Sequence, residues 1–234
     1  MTVLVERGYR CIAYDKRGFG RSELVGHGFD YDTFADDLAA LIRELDLRDL
    51  TLVGHSMGAG EIARYLTRHG TERVAAAVFA GTVTPFMLQT HDNPDGVPAQ
   101  AMQQVIESTK QDRPRYFAEI ARDFFAPGVS AEAAASILDL SIHNTPLRTS
   151  IECSRFLMSV RTFSIPTLVI HGDADTFTPL ALTAQRTAAG IPGCTLLVYE
   201  GASHGLIFAE KERFTEDIGA FVASVSERSP ARVP

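Results

Sequence analysis

Leu50 to Glu61, LTLVGHSMGAGE, sets a serine between two glycines where a run of buried-strand residues gives way to helical spacing. Gly54-His55-Ser56-Met57-Gly58 fits G-x-S-x-G, the nucleophile elbow, with the strand before it and the helix after it that the motif requires. Both glycines are expected because the turn is tight and strained, and side chains there would collide with the neighbouring strand and helix. Ser56 then projects at the C-terminal edge of a sheet, beside a helix N-terminus whose free N–H groups favour developing negative charge. A plain glycine-rich turn uses the same letters, so the rest of the chain must decide. Phosphate loops fit worse. Gly58 is not followed by Lys-Ser/Thr, and RGFGRSE carries Glu23 where a dinucleotide fingerprint needs its third glycine.

Outward from this stretch, Arg10–Asp15 (RCIAYD), Leu50–His55 (LTLVGH), Arg73–Gly81 (RVAAAVFAG), Pro166–Gly172 (PTLVIHG) and Cys194–Gly201 (CTLLVYEG) are short apolar runs ending in turn chemistry. Strands apolar at nearly every position are covered on both faces, as in a parallel sheet. Phe34, Leu38, Leu41, Ile42 and Leu45 share one face of a helix over Thr33–Leu45, with Asp32 or Thr33 placed to cap it. Ile62, Tyr65 and Leu66 mark another over Gly60–His69, stopped by Gly70; Phe208, Phe214, Ile218, Phe221 and Val222 mark one near the end. The alternation predicts an α/β chain, a mostly parallel sheet flanked by helices. It lapses between about Thr84 and Ile165, where helical stretches near Ala101–Lys110, Arg115–Phe125, Ala131–Leu140 and Arg148–Met158 predict a lid. The expected division is a core of residues 1–83 and 166–234 with a helical insertion over 84–165.

A serine hydroxyl is a poor nucleophile near neutral pH and needs a base that is itself held by an acid. HGDADTFTP offers Asp173 and Asp175 after the fourth apolar run, and EGASHG offers His204 after the fifth. The order Ser, Asp, His, each after a strand, is that of the α/β-hydrolase fold. A metal cluster at His171–Asp175 lacks a second ligand group at suitable spacing, whereas a plain turn is a stronger rival. His204 alone is equally readable as an idle loop residue. His55 reads as structural, and His27, His69, His91 and His143 have no partner pattern.

With 234 residues, 45% of them hydrophobic, the chain can bury a full core. A net charge of −7 without a Lys/Arg cluster argues against nucleic acid and anionic membrane as partners. Cys11, Cys153 and Cys194 are an odd number, widely spaced and without Cys/His partners, which fits small buried thiols in a reducing compartment. No apolar run approaches the roughly 20 residues of a membrane helix, and no secretion signal is evident, so a cytoplasmic location is expected.

Taken together, GYRCIAYDKRGFGRSE, FDYDTFADDLAALIRELDLRDLTLVGHSMGAGEIARY, PTLVIHGDADTFTP and YEGASHGL resemble the cofactor-free haloperoxidase and arylesterase branch of α/β hydrolases. The resemblance is dense in the core and weaker across the lid. It implies Ser56 as nucleophile, Asp175 as acid, His204 as base and the backbone N–H of Met57 as an oxyanion donor, with Asp173 a turn residue. It also implies hydrolysis of small esters without haem or metal. Hydrogen peroxide can replace water as second nucleophile, releasing a peracid that oxidises halide. A lactonase or C–C bond hydrolase of the same fold, or an impaired remnant binding a ligand under the lid, are the alternatives.

Family members carry a first hairpin, a further strand and a His-Gly loop before the GYR stretch. MTVLVERGYR instead reads as a helix tail, with Gly8 at its C-cap. The expectation is a sheet lacking a strand between Arg10–Asp15 and Leu50–His55, and an oxyanion hole lacking its second donor. A start assigned too late, a fragment, or direct pairing of the two neighbouring strands are the three ways to account for it.

Overall fold

In the computed structural model, which describes residues 1–125, 128–144 and 164–228, four parallel strands form one sheet in the order β1-β2-β3-β4. They are Leu50–His55, Val74–Ala80, Thr167–Gly172 and Thr195–Tyr199. Leu52 lies opposite Ala77, Val78 opposite Leu168, and Leu168 opposite Thr195. The helices are α1 (Thr2–Glu6), α2 (Tyr31–Glu44), α3 (Met57–His69), α4 (Ala99–Gln111), α5 (Arg113–Phe125), α6 (Ala131–Asn144), α7 (Ala184–Gly190), α8 (Leu206–Ala209) and α9 (Lys211–Arg228).

Each strand is added on the same side of its predecessor, so right-handed crossovers bring α3 and α7 to one face of the sheet. Side chains of a strand alternate between faces. Ala77, Phe79 and Val169 accordingly meet α2, α3 and α7 through Phe34, Leu38, Ile42, Ile62, Leu66 and Ala184. Val78, Leu168 and Ile170 point the other way, against Leu206 and Ile218 of α8 and α9. β2 and β3 are covered on both faces, which is why they read as unbroken apolar runs. Burying each large side chain of this core contributes about 1.5–3 kcal/mol.

The four strands fall where the sequence predicts them, within a residue or two at either end. Arg10–Asp15 does not form the fifth. Ile12 and Tyr14 are exposed, and among the described residues β1 pairs with β2 alone. An apolar run becomes a strand only where its N–H and C=O groups meet a ladder partner. The direct pairing of this run with β1 is therefore not formed. The segment is tied instead through side chains: Tyr14 Oη and Lys16 Nζ both donate to the buried Glu61 of α3.

The helix tail at the front is present. The Gly8 N–H donates to Val5 and the Tyr9 N–H to Leu4, with Gly8 at φ 89°, a C-cap pattern that needs glycine in the left-handed region. Helix α2 begins earlier than expected and is capped by Asp30, not by Asp32 or Thr33; Asp30 Oδ1 accepts the Thr33 N–H at 2.9 Å. Tyr31, the first residue of α2, packs its ring so close to Gly60 of α3 that a Cβ there would sit 2.5 Å from it. Helix α3 starts at Met57, directly after the serine. Cys11 and Cys194 are unpaired and half-buried rather than buried, while Cys153 and the Arg148–Met158 stretch lie outside the described residues.

Candidate active site

The elbow is built as its letters suggest, with one difference. Ser56 holds φ 52° and ψ −116°, a conformation that costs a residue with a Cβ about 1–3 kcal/mol. Its N–H donates to Ala80 O at 2.8 Å, anchoring the turn to β2. Gly54 is sterically required, since a Cβ there would come within 2.4 Å of the Gly58 backbone. Gly58 is not: a Cβ on it meets only Lys16 Nζ, at 3.8 Å.

Three loops beyond the C-terminal ends of the strands bring the sequence-predicted side chains together. His204 Nε2 lies 2.9 Å from Ser56 Oγ, and His204 Nδ1 lies 2.7 Å from Asp175 Oδ2. An ionised carboxylate has no proton to give, so Nδ1 carries the hydrogen and Nε2 is free to accept the serine's. Burial would raise the Asp175 carboxyl, but hydrogen bonds from His204 and Thr178 outweigh it and hold the group below its ordinary value. Oδ1 of Asp175 accepts the Phe177 and Thr178 N–H groups at 2.9 and 2.8 Å, and Oδ2 accepts the Thr178 hydroxyl at 2.7 Å. Asp173 is elsewhere. Its Oδ1 accepts the Gly201 N–H at 2.6 Å, stitching the acid loop to the turn after β4. Gly172 lets these two loops touch, since a Cβ on it would fall 2.0 Å from Ala202 O.

Several contributors carry no sequence signal of their own. His55, one residue before Ser56, donates from Nε2 to the His204 carbonyl at 2.8 Å, and its ring centroid lies 4.8 Å from that of His204. Burial, and secondarily the neighbouring His204, push His55 down to about 3, so it stays neutral. His171 donates from Nε2 to the Thr178 carbonyl at 2.6 Å. Phe124, at the end of α5, and Phe177 flank the His204 ring at 5.0 and 5.6 Å. Their edges and faces form an apolar wall beside the imidazole.

Phe124 also holds the base loop through its backbone. Its carbonyl accepts the Gly205 N–H at 2.7 Å and the Ser203 hydroxyl at 2.8 Å. A Cβ on Gly205 would lie 2.6 Å from that same oxygen. Gly205→Ala should therefore push α5 off the base loop and lower the melting temperature by about 3 °C, roughly 1 kcal/mol for a chain of this size. Unchanged thermal unfolding in the variant would show that the contact is not tight in solution.

Among the described residues, no group of three or more His, Cys, Asp or Glu is arranged to hold a metal ion, and no helix is long and apolar enough to cross a membrane.

Residues 2–150 match the family described as alpha/beta hydrolase fold, and the chain belongs to that family, an enzyme class. Its relatives place it in the non-haem haloperoxidase branch. The chain is 39% identical to a non-heme chloroperoxidase of Kitasatospora aureofaciens, over 95% of its own length and 85% of that protein's. It superposes on a bromoperoxidase from Bacillus anthracis with a TM-score of 0.90 at 35% identity, covering 95% of this chain and 84% of the other. An esterase from Exiguobacterium antarcticum gives a TM-score of 0.91 at 32% identity with the same coverage, 95% and 84%.

Proposed function

We propose that this chain hydrolyses small carboxylic esters through an acyl-enzyme on Ser56. The observation that carries this reading is the unbroken relay from Asp175 Oδ2 through the His204 ring to Ser56 Oγ, at 2.7 and 2.9 Å. His204 takes the Ser56 proton as Oγ attacks the ester carbonyl, and Asp175 stabilises the imidazolium so formed. The carbonyl oxygen, now negative, meets the N–H of Met57, the first residue of α3, whose leading N–H groups have no partner within the helix. His204 then gives its proton to the departing alcohol, leaving the acyl group on Ser56. Water, deprotonated by the same histidine, attacks the acyl carbon and releases the acid.

Helices α4–α6 act as a lid over this chemistry, and Phe124 and Phe177 give the acyl side an apolar boundary. Hydrogen peroxide is the second acceptor we propose. The peroxidase names of the relatives favour it, and attack by peroxide on the same acyl-enzyme yields a peracid without any further group on the protein. Membership of the family alone would also suit an inactive ligand-binding remnant.

A serine-directed fluorophosphonate probe separates these readings. Wild-type protein should be labelled and Ser56→Ala should not, and ester hydrolysis and peroxide-dependent halide oxidation should disappear together in that variant. Folded wild-type protein that takes no label would sink the catalytic reading. Halide oxidation surviving in Ser56→Ala would remove the perhydrolytic branch alone.

A further inference from the structure

We infer that Thr178 is a positioning residue for the Asp175–His204 pair, aiming the shared carboxylate oxygen and limiting how strongly it draws the imidazole proton. This deepens the reading of Asp175 and His204 given above and rests on it. Thr178 is buried at 3% exposure, too enclosed to meet substrate, and every polar group it has is committed. Its N–H goes to Asp175 Oδ1 at 2.8 Å and its hydroxyl to Asp175 Oδ2 at 2.7 Å. Its carbonyl accepts from His171 Nε2 at 2.6 Å and from Thr183 Oγ1 at 3.1 Å. The backbone is thus pinned from behind by β3 and α7's cap residue while the side chain reaches forward to the acid.

The hydroxyl sits where its effect is sharpest. Thr178 Oγ1 is 3.2 Å from His204 Nδ1, so it donates to the very oxygen that receives the imidazole proton and stands beside that proton. Two opposing influences follow. Donation to Oδ2 withdraws charge from the carboxylate and weakens its pull on the imidazolium, whereas the hydroxyl lone pair near Nδ1 supports the imidazolium. The first wins, because it is short and charge-assisted, about twice the strength of a neutral hydrogen bond, while the second is long and shares its proton with Asp175. Removing the hydroxyl should therefore make His204 easier to protonate.

The titratable groups packed around the pair leave this effect visible. His171 of β3 has Nε2 3.4 Å from Asp175 Oδ2, and the His55 ring of β1 lies tilted against His204 at 4.8 Å; burial lowers both. Ser56 faces the other ring nitrogen. The Phe124 ring from α5 and the Phe177 ring, beside Asp175 and Thr178 in their loop, complete the surroundings of His204 and carry no charge.

The test compares wild type, Thr178→Val, which keeps the side-chain shape, and Thr178→Ser, which keeps the hydroxyl. The His204 protonation midpoint, followed by NMR of its ring, should move up by about half a pH unit or more in Thr178→Val and return in Thr178→Ser. The acid limb of kcat/KM should move with it, kcat falling about tenfold at unchanged KM. A buried residue that merely supports the fold would lower stability without moving either midpoint. If Thr178→Val does not fold, Thr178→Ala with Thr178→Ser carries the same comparison. Superimposable His204 titrations in hydroxyl-bearing and hydroxyl-free proteins overturn the inference. A shifted titration in a protein without esterase activity upholds it and overturns the esterase reading instead.

Discussion

Asp175→Asn is expected to lower kcat for ester hydrolysis about ten-thousandfold while leaving the protein folded, the scale set by removing the orienting charge from a serine-histidine relay. The reason lies in the donors that surround the carboxylate. Oδ1 receives two backbone N–H groups, from Phe177 and Thr178, so only the amide oxygen of an asparagine can occupy that place. The amide NH2 must then take the position of Oδ2, which faces His204 Nδ1 at 2.7 Å. Two donors cannot face each other, so the imidazole surrenders its Nδ1 proton and carries one on Nε2 instead. That proton points at Ser56 Oγ, 2.9 Å away, and the ring can no longer accept the serine's. Thr178 Oγ1 can turn to accept from the new amide, so packing survives. Steady-state kinetics beside circular dichroism and thermal unfolding check this: a loss of less than tenfold in a natively folded variant would show that Asp175 does not set the tautomer.

This dependence on donors explains which parts of the site the amino-acid sequence exposes and which it hides. Ser56 is legible because the elbow imposes backbone demands on its neighbours, and Gly54 has the close approach that such a turn requires. β2 and β3 are legible because a strand covered on both faces has no polar positions to confuse its period, and β1 and β4 carry the same apolar letters although each is partly exposed. Arg10–Asp15 has the same letters and no strand, since a ladder depends on what lies beside it, which local composition does not record. Thr178 and Glu61 are hidden for a related reason. Each is a buried polar residue whose role depends on partners from elsewhere in the chain, His204 for Thr178 and Tyr14 and Lys16 for Glu61. The choice of Asp175 over Asp173 follows the same logic: both occupy one turn two residues apart, and only the partners separate them, His204 for Asp175 and the Gly201 N–H for Asp173.

His55 should make the fold acid-labile. An ordinary histidine in the unfolded chain titrates at 6.5, whereas burial first and His204 second push folded His55 down to about 3. Between those values the unfolded chain binds a proton that the folded chain does not, so stability is whole above pH 6.5 and declines as pH falls toward 3. His171, lowered chiefly by burial, adds to the same slope. The Asp175 carboxyl, held below 3.8, extends it, because its contribution is complete above that value and is lost on further acidification. At pH 5 the His55 contribution alone reaches about 2 kcal/mol, trimmed toward about 1 kcal/mol by the solvent that still touches the residue, or about 3–6 °C in melting temperature. His55→Gln keeps a donor for the His204 carbonyl and removes the titrating group. Its unfolding free energy should fall less between pH 8 and pH 5 than that of wild type, and equal slopes in the two proteins would refute the assignment. The neutral His55 ring also holds the His204 backbone, so forcing a charge onto it places a cation against the His204 ring.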